Sequence, residues 1–359
     1  MPELNQQQLN QLRKNRDYWA ERFAILEDAS NNRAVDYYHD VARQYDTAIK
    51  NIQKELDKWF LRYATNNEIS ITDARKILTG PELKDFRMTL DEYISKGKTL
   101  NCSKEWSKQL EKASTLYHVE RLQALQVQMQ QQIELAYGYE LDTFDKFIAN
   151  QYKANYYYSA FEISKGLGVG VDLMKLDEKK IAKLISKPWT ADARTFSDRI
   201  WADKKMLLSE VDKVLTQGII SGQGYNKIAK NLTAALNTQY YKAKRIVVTE
   251  SAFFSSDAQG SCFDDLGVGE YEIVATLDFK TSEICQFMDG KVFDQKDFRP
   301  GVTASPFHPL CRTHQVPRFS DDFGIPESRV ARDPKTGKTV TVPADMKFTE
   351  WEKKFVKGG

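Results

Sequence analysis

Between residues 1 and 160 the chain carries only three glycines, Gly80, Gly97 and Gly138, and two prolines, Pro2 and Pro81. Inside a helix Gly costs about 1 kcal/mol and Pro about 3 kcal/mol relative to Ala. A stretch so free of both, and rich in Gln, Glu, Lys, Leu and Ala, is suited to long helices and to little else. Leu116, Val119, Leu122, Leu125, Met129, Ile133 and Ala136 recur at spacings of three and four and form one apolar stripe, while Gln123, Gln126, Gln128 and Gln130 to Gln132 face water or a partner. The same reading applies to Tyr18 through Asp28 and to Tyr37 through Tyr63. A break follows near Asn66 to Ile71, where Ser70 or Thr72 caps the next helix. The triplet Thr79, Gly80, Pro81 then closes that helix and opens another.

From about 161 to 260 helical periodicity continues with clear joints. Gly166, Gly168 and Gly170 make GLGVG, which reads as a connector, because no Lys-Ser or Lys-Thr pair follows to make it a phosphate loop. Thr195 or Ser197 starts a helix carrying Ile200, Leu207, Leu208, Val211 and Leu215, and Gly218, Gly222 and Gly224 turn it into the next, giving a helical hairpin. Beyond it, Ile246, Val247 and Val248 leave strand open as an alternative to helix. After about 265 the character changes: seven of the ten prolines fall between 300 and 343, and EYEIVATLDF, KVF and KTVTVP alternate with turn residues. Residues 333–338 read as a hairpin turn, and the end, ADMKFTEWEKKFVKGG, as a last helical turn or two. The fold class is therefore mainly α with a small C-terminal α+β module. The expected divisions are a helical N-terminal region at 1–160, a helical hairpin region at 161–260 and the module with its tail at 261–359.

Charge and composition exclude more than they suggest. Lys and Arg number 52 against 50 Asp and Glu, a formal +2 that rules out a strongly basic nucleic-acid coat. No apolar run approaches the roughly 18 residues of a membrane span. The first residues are polar and lack the apolar core of a secretory signal, which points to a reducing compartment. Four cysteines, at 102, 262, 285 and 311, are too few and too scattered for a disulfide framework.

Potential metal ligands concentrate in one place. Cys285, His308, Cys311 and His314 give C-x22-H-x2-C-x2-H in a segment poor in long secondary structure, and thiolate with imidazole suits tetrahedral zinc. The competing reading makes the two cysteines small buried hydrophobes and His308 a turn residue before Pro309. A catalytic reading finds carboxylates at Asp278, Glu283 and Asp289 but no hydrolase motif, so no enzymatic activity is expected. Arg245, Thr249 and Glu250 fall at i, i+4 and i+5 of a helix, where an Arg–Glu pair is structural before it is catalytic.

Taken in order, these pieces resemble the minor head proteins of tailed bacteriophages, the Mu F-type head morphogenesis family. The resemblance rests on RIVVTESAFFSSDAQ at 245–259, on TLDFKTSEICQFMDGKVF at 276–293 and on HPLCR at 308–312, with FSDRIW and GIISGQGYNKIAKNL upstream and VPADMKFTEW downstream. It covers about 190–355. It implies that Arg245, Thr249, Glu250, Asp278, Asp289, Gly290, Pro309 and Arg312 are structural motif positions. It also implies a non-enzymatic virion protein inside the phage head, assembled in the host cytoplasm, bound to the portal protein and to capsid or scaffold proteins, acting in head morphogenesis with genome ejection as a further role. Two positions depart from the family: Ser282 and Thr313 stand where many relatives have cysteine, so His314 would have to complete the set for zinc. Residues 1–160 hold 22 basic and 23 acidic side chains. Contact with phage DNA would therefore be local, at Lys291, Lys296, Arg299 and Arg312, and salt-sensitive. The alternative class is a metal-dependent nuclease or DNA-processing enzyme built on the Cys/His cluster.

Overall fold

The computed structural model describes residues 15–64, 68–99, 104–167, 176–319, 328–332 and 339–343. Helix α1 runs unbroken over Asn15–Tyr63, joining the two periodic stretches read from the sequence. The polar residues between them are used inside the fold: Ser30 is buried, and its hydroxyl meets that of Ser255 at 2.8 Å. Short α2 (Ile71–Ala74) is capped by Ser70, whose Oγ accepts the Asp73 amide at 3.0 Å. Helix α3 (Gly80–Thr99) opens with Glu82 reaching back to accept the Thr79 amide at 2.7 Å, and α4 (Lys104–Ser114) follows. The apolar stripe enters α5 (Arg121–Leu167) only from Leu122 onward. Leu116 and Val119 precede that helix, where the chain bonds to the α2–α3 connector, Leu78 N–H to Val119 O at 2.8 Å and Arg121 N–H to Lys76 O at 3.0 Å.

Helix α6 (Glu178–Ile185) starts at Asp177, and α7 (Phe196–Ile220) at Thr195, which forms a reciprocal capping box with Asp198. Gly222, at φ +64°, turns the chain into α8 (Tyr225–Asp265). Ile246, Val247 and Val248 lie inside α8, so the strand alternative does not hold. Val247 and Val248 are 0% and 7% exposed, and burial of that face outweighs the weak β preference of the trio.

The small module follows. β1 (Glu270–Val274) is the central strand of an antiparallel sheet in the order β2–β1–β3, with β2 at Val292–Asp294 and β3 at His314–Arg318. The register pairs Tyr271 with Phe293 and Val274 with His314. Between β1 and β2 sits the short helix α9 (Glu283–Met288), and after β2 comes a single 3-10 turn at Gln295–Asp297. β4 (Ser328–Arg332) and β5 (Thr339–Pro343) pair separately. The expected hairpin turn at 333–338, the C-terminal helical turn, Cys102 and most of GLGVG lie outside the described residues. Among the described residues, no helix is long and apolar enough to cross a membrane.

The chain divides into two compact units, one gathering Met1–Val35, Phe147–Lys187 and Val247–Gly359, the other Asp36–Lys146 and Pro188–Ile246. In the described part of the first, α1 meets the end of α8 through Phe23 and Phe263, ring centroids 5.6 Å apart. A buried polar layer lies alongside: the Gln151 amide donates to Ser30 Oγ at 2.7 Å and to Ser251 Oγ at 2.9 Å, and Asn155 donates to Ser255 Oγ at 2.9 Å. Satisfied in this way, such a layer fixes helix register rather than adding much stability. The module is seated on α8 at Gly260, where an added Cβ would lie 2.5 Å from the Phe298 ring. The second unit packs Tyr45, Leu56, Ile133, Tyr137, Leu207 and Leu236 in its interior. It also buries a Lys204–Glu134 ion pair at 3.0 Å.

Candidate metal centre

Three local devices build the site. After β1 the chain makes a tight turn in which Lys280 N–H donates to Asp278 Oδ1 at 2.7 Å and Thr281 Oγ1 donates to Thr276 O at 2.6 Å. Ser282 then caps α9 by accepting the Cys285 amide at 3.3 Å, which fixes Cys285 in the first turn of that helix. From the other side, His308 to Cys311 form a turn with Cys311 N–H bonded to His308 O at 3.2 Å and with Leu310 in the left-handed region at φ +61°. A leucine there is strained by about 1 kcal/mol or more, and it is held by its amide, which donates to Thr249 Oγ1 of α8 at 3.2 Å. Arg312 closes the arrangement with a fork onto Asp278, Nη1 to Oδ2 at 2.5 Å and Nη2 to Oδ1 at 2.6 Å. Burial alone would push the Asp278 carboxyl up; the Arg312 fork overrides it and holds the group below the usual range.

These turns bring Cys285, His308 and Cys311 together, with their ligand atoms all within 4.8 Å of one another. The two sulfurs are 3.6 Å apart and Cys285 Sγ is 3.2 Å from His308 Nε2. Both cysteines are 3% exposed. His308 Nδ1 lies 2.8 Å from Pro309 O. A carbonyl only accepts, so Nδ1 carries the proton and Nε2 is the atom turned to the sulfurs. Cys311 is the thiol held as thiolate, stabilised first by the Cys285 S–H and then, against burial, by His308 and backbone amides. The same contact pushes Cys285 up, and the His308 imidazole is raised by its bond to Cys311. A tetrahedral zinc with Zn–S near 2.3 Å has an S···S edge of about 3.8 Å, so the three donors suit three corners of such a site.

His314 does not join them, contrary to the four-ligand reading of the sequence. It begins β3 opposite Val274. A C-x2-H spacing converges only if the chain turns back, whereas here it runs from Cys311 into extended structure, which separates the two residues by about 10 Å. The two positions where cysteine is replaced do lie at the cluster: Ser282 and Thr313 both act on the Cys285 thiol, partly offsetting the rise that Cys311 and burial cause.

The remaining motif residues serve the scaffold. Asp289 Oδ1 accepts the Ala275 amide at 2.9 Å, and Gly290, at φ +75°, turns the chain into β2. Pro309 lies within the ligand turn, Glu250 is buried in α8 and Arg245 is exposed. Of the residues expected to meet DNA, Lys291 lies 3.1 Å over the Phe287 ring, Lys296 pairs with Asp294, Arg299 is exposed and Arg312 is engaged by Asp278. One neighbour was not legible in the sequence. Glu27 of α1 keeps partial solvent contact, yet its carboxyl is pushed up by burial and next by the negative charge on Cys311. It is more than 250 residues away in the chain and no local pattern marks it. Cys262 is a plain core thiol whose pKa burial raises to about 12.

The module and the helix beneath it define a class before they define a family: a small antiparallel sheet pinned by an Asp–Arg fork and a Cys–His cluster, mounted on a long helix. Residues 209–316 match the family described as Phage Mu protein F like protein, so the chain carries a segment of the Mu F-type phage head morphogenesis family. The matched span runs from within α7 through α8 to β3 and contains the whole cluster. No curated protein and no solved structure matches the chain.

Proposed function

We propose that this chain is a minor head protein of a tailed phage, located in the virion, bound to the portal and acting in head morphogenesis without catalysis. The observation that carries the proposal is the Mu F match over 209–316, in the same residues that form the cluster. In this reading Cys285, His308 and Cys311 hold a structural zinc ion that staples a module too small to rely on its own core. Capsid or scaffold proteins are further partners. Lys291, Lys296 and Arg299 offer a weak local DNA contact, because Asp294 and Asp297 sit among them.

The test is co-expression of the tagged chain with the portal protein of its own phage. Co-purification at a fixed ratio is expected; portal rings assembling with none of this chain attached, at any salt concentration, would overturn the partner assignment. The metal is tested separately by elemental analysis of protein grown with zinc, where about one zinc per chain is expected, lost in Cys311→Ser. A metal-dependent nuclease would instead hydrolyse DNA and lose that activity in Cys311→Ala with its fold intact.

A further inference from the structure

A second feature lies outside the matched segment. In the second unit, α1, α3 and α5 enclose an open crevice of about 520 Å³, in the size range of small-ligand sites. Buried Trp59, Phe86, Tyr93 and Leu125 lie beneath it, while more of its open lining is polar than apolar. Into it faces the Arg121 guanidinium, stacked 4.1 Å over the Tyr63 ring. The closest carboxylate, Glu82, is 3.6 Å away, too far for a good hydrogen bond. Its oxygens are already engaged by Tyr63 OH at 2.8 Å and by the Thr79 amide and hydroxyl at 2.7 and 2.9 Å. Arg121 Nε makes no hydrogen bond. The guanidinium is thus oriented by a ring and a helix cap but lacks the forked carboxylate that this group ordinarily takes.

We propose that this crevice binds an organic monocarboxylate, with the carboxylate on Arg121 and an apolar or aromatic body over Trp59 and Phe86. Charge selects the class. Five basic and four acidic side chains line the crevice, and Lys58 is taken up by Glu55 at 2.7 Å. The surplus is a single positive charge, which fits a monoanion and not a phosphate dianion. The carboxylate belongs either to a free acid or to the terminus of a polypeptide, and both present the same group to Arg121.

The test titrates benzoate into the full chain labelled with 15N-arginine, with benzamide as the neutral isostere. One Nε–H resonance, absent from Arg121→Lys, is expected to move saturably with benzoate at a midpoint on the order of 1–10 mM, an affinity of roughly 3–4 kcal/mol. It is expected to stay still with benzamide. If Arg121→Lys does not fold, the same resonance is identified by losing the Tyr63 ring-current shift in Tyr63→Leu. N-acetylphenylalanine separates the sources: at least tenfold tighter binding than benzoate assigns the crevice to a chain terminus, and equal or weaker binding assigns it to a free acid. Equal movement with benzoate and benzamide, or none with either acid, overturns the proposal.

Discussion

Glu140 offers a stability test that can be worked from the structure. Its carboxyl is 1% exposed in the second unit, accepts a hydrogen bond from Tyr45 OH at 2.8 Å through Oε2 and makes none through Oε1. Burial pushes its pKa up to about 7 from the ordinary 4.5; the Tyr45 bond opposes the rise and the Asp203 charge adds to it. Between pH 4.5 and 7 the folded chain therefore keeps a proton that the unfolded chain has lost. The sign follows: this group's contribution is fully present below pH 4.5 and falls as pH rises through 7. At 1.36 kcal/mol per pKa unit the loss is about 3 kcal/mol. Glu140→Gln removes the titration and keeps an acceptor for Tyr45. The new buried NH2 costs about 1–2 kcal/mol at every pH, so the informative quantity is how the variant's advantage changes with pH. Urea unfolding followed by circular dichroism at pH 5 and pH 8 is expected to show the variant gaining about 2–3 kcal/mol on the wild type between the two. A wild-type-to-variant difference that is the same at both pH values would mean that Glu140 does not titrate in this range, and the reasoning from its burial fails.

Three further outcomes follow from named contacts. Lys204→Met removes the cation from buried Glu134 and should lower stability by about 3–5 kcal/mol in urea titrations, whereas Glu134→Leu combined with Lys204→Met should recover most of that loss. Gly260→Ala drives a methyl into the Phe298 ring and should lower the thermal midpoint by a few degrees, equivalent to about 1–2 kcal/mol after the better helix propensity of Ala is counted; Gly267→Ala, with open space around its Cβ but φ +67°, tests backbone strain separately. Asp278→Ala leaves the part-buried Arg312 without its fork and should loosen the ligand turn, read as a lower zinc affinity in chelator competition and about 2 kcal/mol of lost stability.

The helical half is legible because its signals are local. Absence of breakers sets helix length, and Ser70 and Thr195 mark starts by chemistry contained within four residues. The sheet strands are equally local, EYEIV and KVF giving β1 and β2 by composition. What escapes local reading is whatever depends on distant burial. Val247 and Val248 favour strand by themselves and become helix because that face of α8 is covered. Cys285, His308 and Cys311 are found from residue type and clustering, yet His314 misleads, because spacing cannot tell a returning turn from the start of a strand. Thr249 bonding Leu310, and Glu27 beside Cys311, bridge 61 and more than 250 residues and leave no trace in a window of any practical length.

The composition of the first unit from separated stretches has a consequence for synthesis. Trp19 and Phe23 of α1 are buried in the finished protein, Phe23 against Phe263. That partner is translated only after the 239 residues that separate Phe23 from Phe263 have passed. At 5–20 residues per second this is roughly 12–48 s. During that interval the nascent chain presents two large aromatic side chains with no completed core to receive them, while the second unit already has most of its residues. Ribosome-bound intermediates long enough to expose residue 246 but not Phe263 should therefore be protease-resistant over 36–146 and 188–246 and cleaved ahead of residue 35.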